Sequence, residues 1–302
     1  MRALVIGVSG FVGRHLADHL RAAGDAVVGV DRADGSVDIL DRSRVDAAVR
    51  DAQPDVVYHL AGWSDVGGSW SAPVETLRAN AEGTLNVLLC CADLGVPRVL
   101  AVSSADIYGV VTDNELPLDE SAPLRPVSPY AASKVAADFL ALQAWLGRKQ
   151  GVIRIRAFNH LGPGQSTKFV APAIAERIAR NELEGGDEVP VGNISARRDF
   201  TDVRDVVRAY RLLAEHGEAG QVYNVCSGQT LAISDLAERL ISLAARPMVL
   251  RRDSALERAV DIPVLCGDYT KLREAVGWKP EIAIEQTLAD LLDDMRARVR
   301  AP

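Results

Sequence analysis

The segment Gly7-Val8-Ser9-Gly10-Phe11-Val12-Gly13 separates an apolar run at residues 3–8 from a pattern in which Val12, Leu16 and Leu20 recur on one helix face. Glycines at a strand-to-helix turn let the backbone bend tightly and approach a pyrophosphate, whose charge is favoured at the helix N-terminus. The segment therefore predicts a dinucleotide-binding turn. The residues expected to contact the dinucleotide are Gly7, Gly10, Phe11, Val12 and Gly13.

The first half of the chain alternates short apolar runs with longer helical patterns. Further strands are predicted at residues 26–31, 55–61, 99–104 and 152–158, and helices at residues 45–50, 74–94 and 128–146. Because the strands are nearly all apolar and alternate with helices, they predict a parallel sheet that is covered on both faces. Right-handed crossovers make such a sheet doubly wound, so the expected fold class is an α/β Rossmann sheet.

Past residue 160 the alternation weakens. The helices between the turn clusters at residues 162–164 and 184–187 are expected to be short, and one more strand is predicted at residues 221–226. We therefore expect a dinucleotide-binding Rossmann domain at residues 1–157, to which the strand near 221–226 returns. Residues 158–302 are expected to form mainly a smaller, discontinuous α/β domain that binds the substrate.

Composition excludes several function classes. The 34 basic and 41 acidic residues give a net charge of −7, which argues against nucleic acid as a partner. No apolar run has the length of a membrane span, and the N-terminus enters a strand-like segment that leaves no room for a signal peptide. Cys90, Cys91, Cys226 and Cys266 lack CxxC spacing and are expected to be reduced thiols. We expect a cytoplasmic protein without a membrane partner.

Asp31 ends the second predicted strand, near the position where an acidic residue accepts hydrogen bonds from a ribose 2′-hydroxyl. Its carboxylate would repel a 2′-phosphate and so favours NAD(H). The neighbouring Arg32 could compensate, which leaves NADP(H) possible. The alternative is that Asp31 is an ordinary loop residue at the end of a strand.

Two other patterns resemble catalytic or metal-binding motifs but are incomplete. The segment Gly7-Val8-Ser9-Gly10-Phe11 begins like the turn that carries a hydrolase serine, but the closing glycine is missing. His15 and His19 have the spacing of a zinc pair, yet Leu16 follows His15 where a glutamate base would stand, and no third ligand is apparent. No metal site is expected.

The segment Tyr130-Ala131-Ala132-Ser133-Lys134 puts a phenol and an ammonium group four residues apart, on one helix face. A nearby cation favours the phenolate, so the pKa of Tyr130 is expected to be lowered and the group suited to proton transfer. Ser104 ends a predicted strand, at the edge where open α/β sheets bind ligands, and could hydrogen-bond the same substrate oxygen. The expected catalytic residues are Ser104, Tyr130 and Lys134.

Together these residues resemble the extended short-chain dehydrogenase/reductase family, of the NAD-dependent epimerase/dehydratase type. The resemblance spans essentially the whole chain and includes Asp38-Ile39, His59-Leu60-Ala61-Gly62, Asn80 and Tyr108-Gly109. It implies that Asp38 and Ile39 contact adenine. It also implies that Leu60, Ala61 and Lys134 contact the nicotinamide half, with Tyr130 beside them. Asn80 is counted with the cofactor-binding residues, as a support of the active site.

The same resemblance implies partners. The family acts mostly on nucleotide-linked sugars and is expected to form homodimers, here through the helices at residues 74–94 and 128–146. The alternative is that the Ala- and Leu-rich faces of these helices are buried against the sheet. Three segments of the second half are similar to the family's reductases of GDP-4-keto-6-deoxy-mannose, which makes a GDP-linked sugar the favoured substrate. They are Phe158-Asn159-His160-Leu161-Gly162-Pro163-Gly164-Gln165, Arg198-Asp199-Phe200-Thr201-Asp202-Val203-Arg204-Asp205 and Val222-Tyr223-Asn224-Val225-Cys226-Ser227-Gly228.

By this likeness Asn159, Val170, Arg198 and Arg258 would hold the nucleotide diphosphate. Arginine suits that task because its planar fork binds phosphate bidentately and stays charged. A surface salt bridge is the alternative for each arginine. It is strongest for Arg258, where the residues that follow depart from the pattern of the relatives.

Three reactions share such a site: reduction of a 4-keto sugar, 4-epimerisation and 4,6-dehydration. Related dehydratases have a glutamate two residues after the active-site hydroxyl, but here Ser104 is followed by Ala105 and Asp106. Ala105 cannot transfer a proton and Asp106 is one methylene shorter than glutamate, which disfavours dehydration. Asp106 is expected to face the substrate.

We therefore expect a reductase of a GDP-linked 4-keto-6-deoxyhexose, with Tyr130 as proton donor. A nucleotide-sugar 4-epimerase is the alternative, since the same residues would serve. A non-catalytic dinucleotide-binding protein is disfavoured because Ser104, Tyr130 and Lys134 occur together.

Overall fold

The computed structural model describes residues 1–256 and 262–300. The strands are β1 (Arg2–Ile6), β2 (Ala26–Val30), β3 (Val56–His59), β4 (Arg98–Ser104), β5 (Val152–Ala157), β6 (Asn159–Leu161), β7 (Glu188–Val191), β8 (Arg197–Asp202), β9 (Val222–Val225), β10 (Thr230–Ala232), β11 (Val249–Arg252) and β12 (Val264–Leu265). The helices are α1 (Phe11–Ala22), α2 (Arg42–Ala52), α3 (Pro73–Leu77), α4 (Gly83–Asp93), α5 (Pro129–Arg148), α6 (Val170–Glu184), α7 (Val203–His216), α8 (Ile233–Ser242), α9 (Thr270–Val276) and α10 (Ile284–Arg300).

The central sheet is parallel and has six strands in the order β2-β1-β3-β4-β5-β9. One face packs against α1 and α7 through residues such as Leu16 and Leu213, and the other packs against α2, α4 and α5 through residues such as Val45, Leu88 and Ala141. Helices on both faces confirm the doubly wound α/β prediction. The strand β1 is shorter than predicted because the chain turns at Gly7, whose φ is +97°.

The late strand β9 lies at the edge of this sheet, where Val222 is paired with Arg154 of β5. A second layer contains β8, flanked by β6, β10 and β12, and a core formed by α6, α8 and α10. The chain thus leaves the central sheet after β5 and returns to it once. The boundary between a cofactor domain and a substrate domain at residue 157 stays a prediction.

Two helices differ from their predictions. Helix α6 has 15 residues, so the expectation of short helices was wrong there. Pro172 in its first turn does not break it, because the first N–H groups of a helix have no partner within the helix. The helix predicted at residues 74–94 consists of α3 and α4, which are joined by a π-helical turn at Arg78–Glu82.

The four cysteines are free, and Cys90, Cys91 and Cys226 are buried, as predicted for reduced thiols. Burial raises the pKa of the Cys91 thiol to about 12, so it is protonated at neutral pH. Within residues 1–256 and 262–300, no helix is both long enough and apolar enough to cross a membrane.

Candidate active site

A cleft of about 850 Å³ lies at the carboxyl ends of the central strands, between them and the layer built on β8 and α6. Nearly all the predicted site residues line it. They are Gly7, Gly10, Phe11, Val12, Gly13, Asp31, Arg32, Asp38, Ile39, Leu60, Ala61, Ser104, Asp106, Tyr130, Lys134, Asn159, Val170 and Arg198. Asn80 is not among the lining residues, and Arg258 lies outside the described residues.

The glycine turn is closely packed on its inner side. A Cβ atom on Gly13 would lie 2.1 Å from the carbonyl oxygen of Gly7, and one on Gly7 would lie 2.8 Å from the nitrogen of Ala61. On the side that faces the cleft, the N–H groups at the start of α1 have no side-chain cap, because the residue before the helix is Gly10. The first turn of α1 also contains no acidic residue. The turn thus offers donors and a positive helix end to an anion, which fits the pyrophosphate of a dinucleotide.

Asp31 has a structural task at the end of β2. Its carboxylate accepts hydrogen bonds from the backbone N–H groups of Ser9, at 3.1 Å, and Ala33, at 3.0 Å. It therefore ties the glycine turn to the second strand. Beside it, Arg32 and Arg44 line a smaller pocket of about 340 Å³. Sequence reasoning missed Arg44, which lies 12 positions after Arg32 and is brought back to it by the start of α2.

Tyr130 lies in the first turn of α5, near Ser104 at the end of β4. Burial raises the pKa of the Tyr130 phenol, Asp106 reinforces the effect, and a hydrogen bond with Ser104 opposes it. The expectation of a lowered pKa was therefore wrong: loss of hydration outweighs any attraction to a cation. Tyr130 is held in its protonated form, the form that can donate a proton.

Lys134 is one helix turn beyond Tyr130, and its Nζ atom donates a hydrogen bond to the carbonyl oxygen of Val102 at 3.0 Å. Burial lowers the pKa of this ammonium group to about 8. The buried side chain of His59 lies near it and bonds the hydroxyl of Thr84 at 2.9 Å. Burial and the charge of Lys134 lower the pKa of His59 to about 3, so this imidazole is neutral.

Asn80 lies behind the lining of the cleft and bonds residues of α5, and its contact with the cofactor stays a prediction. Its amide nitrogen donates to the hydroxyl of Ser133 at 2.8 Å, and that hydroxyl donates to the carbonyl oxygen of Tyr130 at 2.7 Å. The N–H of Tyr130 in turn donates to the hydroxyl of Ser69 at 3.2 Å. Sequence reasoning missed Ser69 and Ser133, because isolated serines carry no recognisable pattern.

Basic side chains collect at the end of the cleft formed by α6 and β8. Arg198 lines this end together with Arg177 and Lys168, which sequence reasoning did not identify. The Nζ atom of Lys168 lies 3.8 Å from a carboxylate oxygen of Asp65, on the loop that follows β3. This concentration of cations is suited to a diphosphate.

The model of the family described as NAD dependent epimerase/dehydratase matches residues 3–226. The chain is 40% identical over 304 residues to the GDP-6-deoxy-D-mannose reductase of Pseudomonas aeruginosa, which covers 99% of this chain and 98% of the relative. The solved structure of RMD from P. aeruginosa, complexed with NADPH, is similar at a TM-score of 0.90 and 38% identity, and covers 99% of this chain and 100% of that chain.

A UDP-glucose 4-epimerase from Thermus thermophilus, in complex with NAD, is similar at a TM-score of 0.88 and 28% identity, with 98% of this chain and 99% of that chain covered. The similarity to these relatives, in sequence and in structure, thus extends over nearly the full length of the chain. The chain belongs to the NAD-dependent epimerase/dehydratase family, as the resemblance in its motifs predicted.

Proposed function

We propose that this protein reduces the C4 keto group of a GDP-linked 4-keto-6-deoxyhexose, with a reduced nicotinamide dinucleotide as the co-substrate. The observation that carries the proposal is the location of Tyr130 beside Ser104 in one cleft, with the Tyr130 phenol held protonated. The similarity of the whole chain to a GDP-6-deoxy-D-mannose reductase supports the choice of substrate.

Each residue of the site would have a separate role in the reduction. Ser104 would hydrogen-bond the C4 oxygen and polarise the carbonyl, and Tyr130 would donate the proton to that oxygen. The nicotinamide supplies the hydride when it is bound. Lys134, held by Val102, would bind the nicotinamide ribose. The glycine turn would hold the pyrophosphate at the N-terminus of α1.

Dehydration fits this cleft poorly. Ala105 is buried and has no group that could move a proton, so Asp106 would be the only carboxyl group in the turn Ala105–Tyr108 that follows Ser104. Epimerisation is the second candidate, favoured by the similarity to a UDP-glucose 4-epimerase. It would need the same three residues and a keto sugar that rotates within the cleft.

We further propose that Arg198, together with Lys168 and Arg177, binds the nucleotide diphosphate beside Asn159 and Val170. These groups all line the cleft, on β6, β8 and α6 and the loop before α6. Arg258 stays a prediction. Turnover rates measured in parallel with GDP-, UDP- and dTDP-linked 4-keto sugars test which nucleobase the protein prefers. Faster turnover of UDP-sugars, without net oxidation of the nicotinamide, favours the epimerase.

For the cofactor we propose that NAD(H) is accepted through Asp31 and that Arg32 and Arg44 admit NADP(H). Both carboxylate oxygens of Asp31 already accept backbone N–H groups, while the two arginines line a pocket next to it. A 2′-phosphate in that pocket, which Asp38 and Asp41 also line, would meet the guanidinium groups of Arg32 and Arg44. The NADPH bound to RMD from P. aeruginosa is consistent with this proposal.

We also propose a homodimer formed through α3 and α5. These helices pack against each other and carry exposed apolar side chains, with Val74 63%, Leu77 50% and Phe139 54% exposed. Such a patch on a globular protein marks a contact surface. A second copy related by two-fold symmetry would cover the same patch on both chains.

A further inference from the structure

A buried polar cluster lies one helix turn beyond Lys134. The carboxylate of Asp138 accepts hydrogen bonds from Arg154 Nη1, at 2.8 Å, and from Arg156 Nε, at 3.3 Å. The Asp138 side chain is fully buried and those of the two arginines are 10% and 6% exposed. None of these residues lines the cleft, so the cluster does not touch substrate or cofactor.

Asp138 is in phase with the catalytic residues of α5. Tyr130, Lys134 and Asp138 follow one another at intervals of four residues and therefore share one face of the helix. The arginines that pair with Asp138 belong to β5, a strand of the central sheet. The ion pairs thus connect this helix face directly to the central sheet.

Arg156 also reaches the turn that carries the other half of the site. Its Nη1 atom donates to the hydroxyl of Tyr108 at 3.1 Å, and its guanidinium lies 5.2 Å from the centre of the Tyr108 ring. Tyr108 ends the turn Ala105–Tyr108, which begins directly after Ser104. The Tyr108 hydroxyl donates onward to Asn224 Oδ1 on β9 at 2.7 Å, so it is fixed on both sides.

The register of the sheet brings the same parts together. Ser103 is paired with Arg156 and Ser104 with Ala157 in the parallel ladder between β4 and β5. Arg156 therefore lies opposite the residue that precedes Ser104. Its side chain bonds both Asp138 of α5 and Tyr108 of the turn. It is the only described residue that bonds the side chains of both.

Stability alone explains this cluster poorly. A buried ion pair gains little over a well-packed apolar pair, because both charges lose their hydration. Here two arginines share one carboxylate, and the Nε atom of Arg154 has no hydrogen-bond partner among the described residues. Hydrogen bonds are directional where apolar contacts can slide. The cluster is better suited to fixing a geometry than to stabilising the fold.

We propose that Arg156 is a positioning residue: through Asp138 and Tyr108 it fixes Tyr130 and Lys134 relative to Ser104. The kinetic part of this proposal rests on the proposed reductase function. A small displacement of a proton donor from its acceptor lowers the rate of the chemical step more than it lowers substrate binding. Loss of the cluster should therefore change kcat and leave KM nearly unchanged.

Tyr108→Phe tests this with little change of shape, since it removes only the hydroxyl between Arg156 and Asn224. Tyr58→Phe is the matched control, because Tyr58 is equally buried, lies outside the cleft and has a hydroxyl without a hydrogen-bond partner among the described residues. We expect Tyr108→Phe to lower kcat about ten-fold, with KM for the GDP-linked keto sugar changed less than about two-fold. Tyr58→Phe should leave both constants unchanged.

Arg156→Lys provides the second variant, because lysine keeps the charge for Asp138 but loses the planar fork that also reaches Tyr108. The double variant should have the kcat of the slower single variant, since both changes break one connection. Losses that multiply in the double variant, or a kcat of Tyr108→Phe equal to that of the control, overturn the proposal.

Hydrogen exchange separates this proposal from the proposed function, because it needs no turnover. Amide protons in the first turns of α5, from Tyr130 to Lys134, should exchange about ten-fold faster in Tyr108→Phe than in Tyr58→Phe. Equal exchange in the two variants contradicts the positioning role. A wild-type protein that turns over no keto sugar contradicts the proposed function and leaves the exchange result intact.

Discussion

The Nζ atom of Lys134 donates a hydrogen bond to the carbonyl oxygen of Val102, at 3.0 Å, from the helix turn that follows Tyr130. Val102 precedes Ser104 by two residues on β4, so this bond joins the helix that carries the proposed proton donor to the strand that carries the proposed carbonyl ligand. Loss of hydration raises the pKa of the Tyr130 phenol and lowers the pKa of the Lys134 ammonium group. The two shifts make the pH dependence of the reaction predictable.

The rate should fall as pH rises through about 8. The pKa of Lys134 is lowered to about 8, so its ammonium is charged below that pH and neutral above it. The pKa of Tyr130 is raised from 10.0, which keeps the proton donor protonated over the same range. A profile of kcat/KM against pH checks this. Lys134→Arg keeps a charge at this position at every pH used, so an identical falling limb in that variant assigns the limb to another group.

Removing the phenol of Tyr130 should abolish most of the turnover. We expect Tyr130→Phe to lower kcat by about 10²–10⁴-fold, the usual contribution of a positioned general acid, without weakening cofactor binding. Steady-state kinetics and a titration of the nicotinamide dinucleotide measure the two effects. Tyr58→Phe serves as the control, since Tyr58 is buried outside the cleft. Turnover that persists in Tyr130→Phe assigns proton donation to another residue.

Arg44 should affect one cofactor more than the other. Because it lines the pocket beside Asp31, Arg44→Ala is expected to raise KM for NADPH about ten-fold, the loss of one charged hydrogen bond, and to leave KM for NADH unchanged. Arg50→Ala on the same helix is the control, since the one ion pair that Arg50 forms among the described residues is an exposed pair with Asp46. Equal changes in the two KM values would place the 2′-phosphate elsewhere.

Gly13 and Gly10 should separate folding from cofactor binding. A Cβ atom on Gly13 would meet the backbone of the turn at 2.1 Å, so Gly13→Ala should lower the thermal midpoint of the protein. On Gly10 the corresponding contact is 3.2 Å, at the open end of α1. Gly10→Ala should therefore weaken dinucleotide binding with a smaller loss of stability. Calorimetric binding and thermal unfolding of both variants check this, and the reverse ranking contradicts it.

The proposed homodimer predicts that one charge is sufficient to separate the chains. Phe139→Glu places a carboxylate in the patch on α3 and α5, whose desolvation on association would be costly. Sedimentation at micromolar concentration should then give a monomer for this variant and a dimer for the wild type. Leu183→Glu is the matched control, because Leu183 is 60% exposed on α6. A wild-type monomer contradicts the proposal.

Periodic and local features of the sequence were sufficient to predict the central sheet and most of the cleft. The glycine turn and the pair Tyr130/Lys134 each lie within a short stretch, and Asp31 follows the turn at a typical distance, so their spacing could be recognised. Contacts that depend on the tertiary fold could not be recognised in this way. Asn80 meets Ser133 across 53 residues, and Tyr130 meets Ser69 across 61.

The pKa of Tyr130 was predicted in the wrong direction for the same reason. Its spacing from Lys134 suggested a cation nearby, but the shift depends on how much water the folded chain removes. Asp138 was also missed, although it continues the spacing of Tyr130 and Lys134. Its partners on β5 are identified only by the packing of the helix against the sheet.

The most direct test of the proposed function is a mixture of the wild-type protein, GDP-4-keto-6-deoxy-mannose and NADPH or NADH, in which the absorbance of the reduced nicotinamide is followed and the sugar product is identified. We predict stoichiometric oxidation of the nicotinamide and a GDP-6-deoxyhexose with a hydroxyl group at C4, with oxidation slowed by about 10²–10⁴-fold in Tyr130→Phe. No oxidation with either cofactor, together with interconversion of C4 epimers of a nucleotide sugar, would contradict the reductase assignment.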